Sequence, residues 1–206
     1  MATKAIECRD AQLAKKVIEG DLDVDRLEVD IEEECLKILA LHQPVADQLR
    51  YIVAILKMNN DLERIGDLAV NIAERAESVS RSGNLATPFN YSAMFQKTEE
   101  MLERCLDSLV NMDLLLAYEV LRRDYDVDSM KNTIQTQFAR ELIRLQDDTE
   151  SMLNLFLVSR HLERIADHAT NIAEDVIYMI TGVIHRHRRR TVIRGSERWF
   201  SSARKD

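Results

Sequence analysis

Glycine and proline are scarce in this chain, at 5 and 2 of 206 residues. So few chain-breaking residues argue against a turn-dense β architecture and for helices. Aromatic residues make up only 5%, too few for a base-stacking nucleic-acid platform. The formal net charge of −8 repels a phosphate backbone wherever it is evenly spread, so no specific nucleic-acid partner is expected. Cysteine is limited to Cys8, Cys35 and Cys105, far apart and without a Cys-x-x-Cys pair. An odd, scattered set is a poor disulfide framework and suits a reducing compartment; three core thiols are expected. The N-terminus carries charges where a signal peptide needs an apolar run. The most apolar stretch, 51–56, falls far short of the roughly 20 residues that span a bilayer. A soluble, cytoplasmic protein is the expectation, meeting a membrane only peripherally if at all.

What the chain does contain is helical periodicity. An amphipathic opening stretch is interrupted at Gly20 and Asp21, after which Leu27, Ile31, Cys35 and Ile38 mark one face of a second helix. His42, Gln43 and Pro44 break that helix, with Pro44 suited to the first turn of a long third one reaching Ser80. Residues 81–90 read as a linker. Helices are then expected near 91–123, 127–144 and 149–181.

Three helices, a linker and three more helices suggest a duplication, and the residues bear this out. Leu62-Glu63-Arg64-Ile65 returns as Leu162-Glu163-Arg164-Ile165, and Asn71-Ile72-Ala73-Glu74 as Asn171-Ile172-Ala173-Glu174. Upstream, Asp21 and Asp25 are answered by Asp124 and Asp128. The expected fold is therefore all-α: two tandem three-helix bundles over 1–80 and 91–182, followed by a basic segment, 183–206. The first helix of the first repeat is shorter than its counterpart, which leaves part of that bundle uncovered.

Within each long third helix, a rotation of 100° per residue separates two faces. Leu62, Ile65, Ala69, Ile72 and Ala76 gather on one side; Glu63, Asp67, Asn71 and Glu74 lie nearly opposite. The second copy sets Leu162, Ile165, Ala169, Ile172 and Val176 against Glu163, Asp167, Asn171 and Glu174. The plain reading is a solvated acidic face pointing away from the bundle. Against it, carboxylates one turn apart repel by about 0.2–0.5 kcal/mol, and the same unfavourable pair occurs twice. A cation held there would explain both copies. Carboxylate oxygens without His or Cys suit hard cations or iron rather than structural zinc. A second helix has to supply further ligands, and Asp21, Asp25, Asp124 and Asp128 are the candidates. Their competing role is helix capping, since Asp25-Arg-Leu-Glu28 has the form of a capping box.

The Asp-x-x-x-Asp element followed by a helix carrying Glu-Arg-Ile-x-Asp-x-x-x-Asn-Ile-Ala resembles the PhoU family over nearly the whole chain to about Gly182. That resemblance implies two similar three-helix bundles and a non-catalytic negative regulator of phosphate uptake and of the phosphate regulon. It implies partners in the phosphate ABC transporter ATPase and a sensor histidine kinase, and self-association as a homodimer or higher oligomer. It also implies multinuclear, carboxylate-bound iron or zinc, carried onto Glu63, Asp67, Glu163 and Asp167, with Asp21, Asp25, Asp124 and Asp128 following.

Two other readings compete with a regulator. A metal-storage or redox bundle would use Glu-x-x-His on inward faces, and no such motif occurs. A metal-free scaffold would use the acidic faces to bind basic partners. Gly-rich phosphate loops, a Cys–His nucleophile pair and a serine elbow are all missing from the sequence, which argues against an enzyme. His161 and His168 do not repeat in the first half and are expected at the surface. The segment from His185 onward is basic with one Trp and one Phe; a disordered solubilising tail is expected there, with an anionic membrane surface, nucleic acid or an acidic partner as the alternatives.

Overall fold

A computed structural model describes residues 1–81, 91–141 and 149–184. All the regular structure among them is helical: α1 (Ala2–Cys8), α2 (Ala11–His42), α3 (Asp47–Arg81), α4 (Tyr91–Asn111), α5 (Leu114–Glu141) and α6 (Thr149–Thr181). Helices α1 to α3 form one bundle and α4 to α6 the other. The two are joined along α3 and α6, which pack against each other over much of their length. Arg81, the first residue of the expected linker, ends α3; residues 82–90 and the basic segment from His185 lie outside the described residues.

Helix boundaries differ from the expected ones, and the cause is the same in both repeats. Gly20 and Asp21 do not interrupt α2, which runs through them for 32 residues. The true break comes earlier, where Arg9 takes a left-handed backbone with φ of 51°. Asp10 then caps α2, its carboxylate accepting from the Gln12 and Leu13 amides at 2.9 and 3.0 Å. In the second repeat Met112 has φ of 50°, and Asp113 accepts from the Leu115 and Leu116 amides at 2.8 and 3.1 Å. Asp21, Asp25, Asp124 and Asp128 thus lie inside α2 and α5, which removes their role as caps. Pro44 precedes α3 instead of sitting in its first turn.

The apolar faces of the long helices are where the periodicity places them. Ile65, Ile72 and Ala76 of α3 are buried, as are Leu162, Ile165, Ala169, Ile172 and Val176 of α6. Helix α6 is buried over a wider arc, because Val158, Ala166 and Ile177 are also enclosed. It is wrapped by α4 and α5 on one side and α3 on the other.

The α3–α6 seam runs antiparallel, since Lys57 approaches Asp175 at 3.9 Å while Arg75 donates to Asn154 Oδ1 at 3.1 Å. Asp61 Oδ1 is the polar centre of the seam, 2.7 Å from His168 Nδ1 and 3.2 Å from Asn171 Nδ2. His168 is therefore an inter-repeat residue and not a surface choice. His161 is also partly enclosed, and both its ring nitrogens are buried without a hydrogen-bond partner. Burial holds its imidazole below the usual range, with Arg75, Arg164 and Arg160 adding to the effect. Cys105 and Cys35 are core thiols, but Cys8 is exposed. Burial pushes the Cys105 thiol up to about 12, with the charge of Asp61 adding to it and a backbone hydrogen bond from Ala173 opposing.

Candidate functional site

The first copy of the acidic motif lies between α2 and α3. Gly66 allows the close approach: a β-carbon there would stand 3.1 Å from Asp21 Oδ1 and 3.2 Å from Val24 Cγ1. Two turns before it, buried Asn59 donates to the Glu28 carbonyl at 2.8 Å and fixes α2 against α3. These contacts turn Asp21, Asp25 and Glu28 toward Glu63 and Asp67. Burial raises the Asp21 carboxyl above its usual range, and the charges of Asp25 and Asp67 raise it further. Glu63 is raised by burial and by Asp67, then by Asp25 and Glu28, against the opposing pull of Arg64. Arg64 reaches Glu63 at 3.4 Å and Asp67 at 2.8 Å. Counting Asp21, Asp25, Glu28, Glu63 and Asp67 against Arg64, the cluster carries a net charge of −4.

The second copy keeps the motif but neutralises more of its negative charge. The position equivalent to Glu28, 103 residues on, is Lys131. Its ammonium lies 3.3 Å from Glu163, and both side chains are less than a quarter exposed. Asp124 is buried in α5, and Asp128 is partly covered on the same helix. With Lys131 and Arg164 against Asp124, Asp128, Glu163 and Asp167, the net charge falls to −2.

The structure thus brings Asp21, Asp25, Glu63 and Asp67 together in the first repeat. The acidic stripe does not point away from its bundle, because Glu63 and Asp67 face α2. Asn71 donates to the Asp67 carbonyl of its own helix at 2.7 Å, and Glu74 stands exposed outside the cluster. In the second repeat Asn171 is engaged by Asp61 across the seam, and Glu174 is partly buried. Glu28 and Lys131 are the residues the motif alone does not reveal; extending the repeat alignment by three residues past Asp25 and Asp128 does so.

The first cluster fits a hard cation in donor chemistry and in charge, since its carboxylates repel one another beside a single paired arginine. Among the described residues, no three His, Cys, Asp or Glu side chains converge into a ready ligand set. Side-chain rotation would have to complete one.

The two copies respond in opposite directions to neutral substitution. Carboxyls raised on folding stabilise the fold below their unfolded pKa, and that contribution is lost as pH rises through the folded value. Above that value, ionised Asp21 and Glu63 are held at a cost to stability. With chelator present, Glu63→Gln raises the urea midpoint, whereas Glu163→Gln lowers it by stranding Lys131. Each shift corresponds to about 0.5–1 kcal/mol, the range for partly exposed pairs. Equal shifts of the same sign would show that the copies are electrostatically alike.

No helix among the described residues is long and apolar enough to cross a membrane. The family model described as the PhoU domain matches residues 1–76 and again 91–176, so both bundles fall within it. The chain is 36% identical to the phosphate-specific transport system accessory protein PhoU homolog 1 of Thermotoga maritima over 197 residues, covering 95% of this chain and 85% of that one. Its fold matches the crystal structure of PhoU from Pseudomonas aeruginosa with a TM-score of 0.85 at 36% identity, covering 88% of each chain. The phosphate transport system regulatory protein PhoU of Streptococcus pneumoniae matches at a TM-score of 0.81 and 26% identity, over 89% of this chain and 86% of that one. With the family model matched in both repeats and the architecture shared, the chain belongs to the PhoU family.

Proposed function

We propose that this protein is a non-catalytic, cytoplasmic regulator of phosphate uptake that restrains the transporter and the phosphate response. The observation that carries the proposal is the family match in both repeats, together with relatives named as accessory and regulatory proteins of phosphate transport. In this reading the partners are the transporter ATPase and a sensor histidine kinase, and the protein acts as a homodimer or higher oligomer. The fold suits an adaptor: two bundles packed along α3 and α6 present two similar but unequal outer faces.

The acidic cluster of the first repeat is the regulatory element. A bound iron, zinc or other cation would be held by carboxylates drawn from Asp21, Asp25, Glu63 and Asp67. Its charge would relieve the repulsion among them and draw α2 toward α3, altering the face that partners meet. In the second repeat Lys131 already supplies a positive charge, so that copy needs no cation.

Cells lacking the gene test the regulatory role. Phosphate uptake should run unrestrained in phosphate-rich medium, and the restored chain should return it to the parental rate. A folded, expressed chain that leaves uptake unrestrained would overturn the reading. Light scattering on the purified chain decides self-association.

A further inference from the structure

The duplication relates positions 100 residues apart on α3 and α6, and the seam between these helices breaks that symmetry. Asp61 and Arg75 lie fourteen residues apart on α3, and their partners His168 and Asn154 lie fourteen apart on α6. Leu68, midway on α3, therefore falls opposite His161, midway on α6. Exchanging the repeats turns the Asp61–His168 pair into His161 and Leu68. One layer of the seam thus holds a hydrogen-bonded pair, while its counterpart sets an imidazole against a buried leucine. Both ring nitrogens of His161 are buried without a partner.

Positive charge gathers around this layer. Arg164 follows His161 by three residues, a same-face spacing, and Arg160 stands one turn before Arg164. Arg75 comes from α3, seven residues beyond Leu68. Burial first, then Arg75, Arg164 and Arg160, hold the His161 imidazole below its usual range, so all three guanidiniums bear on that ring. None of the three pairs with a carboxylate of the described residues. The first repeat is arranged otherwise: Arg64, the counterpart of Arg164, reaches Glu63 at 3.4 Å and Asp67 at 2.8 Å. In the second repeat Lys131 takes Glu163 at 3.3 Å, which leaves Arg164 to the seam.

Arg75 supplies the most specific feature. Its Nη1 donates to Asn154 Oδ1 at 3.1 Å, and Asn154 is itself anchored by donating to Ser78 Oγ at 3.1 Å. The Nε of Arg75 is buried and has no acceptor, and a buried donor without an acceptor destabilises a fold. The guanidinium edge formed by Nε and Nη2 is one that meets an oxyanion through two parallel hydrogen bonds. A turn of the side chain brings that edge toward Arg160 and Arg164, which are exposed and open the groove to solvent.

We propose that the α3–α6 groove beside His161 binds a tetrahedral oxyanion carrying two negative charges, held by Arg75 of the first repeat and Arg160 and Arg164 of the second. Planar guanidiniums from two helices favour such an anion over chloride, because they offer paired donors as well as charge. A ligand here joins the two repeats, since its contacts come from both. The site is separate from the acidic clusters and requires no cation.

Calorimetric titration of the full-length chain with inorganic phosphate, and separately with sulfate, tests the proposal at an ionic strength held constant with sodium chloride. The parent should bind at least one of the two saturably, at one site per chain. Arg160→Gln with Arg164→Gln, both at exposed positions, should weaken binding by about tenfold or more while circular dichroism stays helical. Arg75→Gln should weaken it likewise. Lys15→Gln with Lys37→Gln removes the same charge from exposed sites elsewhere and should leave the affinity within about twofold. Failure of both anions to saturate the parent would overturn the proposal. Equal weakening in the Lys15/Lys37 variant would also do so, by reducing the effect to net charge, as would undiminished binding in the Arg160/Arg164 variant.

Discussion

Replacing Ile172 by alanine is expected to lower the unfolding free energy by about 2–5 kcal/mol, the range for deleting a large aliphatic side chain from a filled core. Ile172 is fully enclosed on α6, the helix that touches α3, α4 and α5. Its neighbours cannot collapse into the gap without moving one of those three helices. Leu22, 61% exposed on α2, provides the control. Leu22→Ala is expected to shift stability by no more than about 0.5 kcal/mol, as surface substitutions do. Urea unfolding followed by circular dichroism measures both. A small effect at Ile172 would mean that α6 does not present this face to the core.

The second large effect concerns cation uptake. Combined Glu63→Gln and Asp67→Asn removes two of the five carboxylates of the first cluster, so binding of a divalent cation should be lost. Combined Glu163→Gln and Asp167→Asn should leave it intact, because Lys131 holds the second copy's Glu163 at 3.3 Å. Elemental analysis of the folded variants after reconstitution reads the difference. Loss in both variants would make the two copies equivalent sites. Loss in neither would remove the cluster from cation binding.

Much of this arrangement was legible in the sequence, and the failures share a physical origin. The long third helices could be read because their apolar spacing is regular and a copy exists 100 residues away. Gly20 misled because a single glycine in an exposed helix costs only about 1 kcal/mol, which 32 residues of continuous hydrogen bonding override. The real breaks carry neither glycine nor proline. They rest on left-handed Arg9 and Met112 followed by capping Asp10 and Asp113, pairs separated by the same 103 residues as Asp21 and Asp124. Capping aspartates are indistinguishable by type from helix-interior ones, so the pattern pointed to the wrong pair.

The candidate site was legible as a list of carboxylates but not as a geometry. Helix periodicity places Glu63 and Asp67 opposite the core face, yet it cannot say that α2 closes over them, because that depends on Gly66 and Asn59. Nor could the motif tell the repeats apart. Their difference turns on one position, Glu28 against Lys131, outside the repeated motif.

The central claim is that one of two similar acidic motifs takes a cation while the other carries its own positive charge. Titration of the chelator-treated, full-length chain with manganese, followed by calorimetry, tests it most directly. The account predicts one saturable site per chain, with a second appearing in Lys131→Glu. Two sites in the parent, or none, would contradict it.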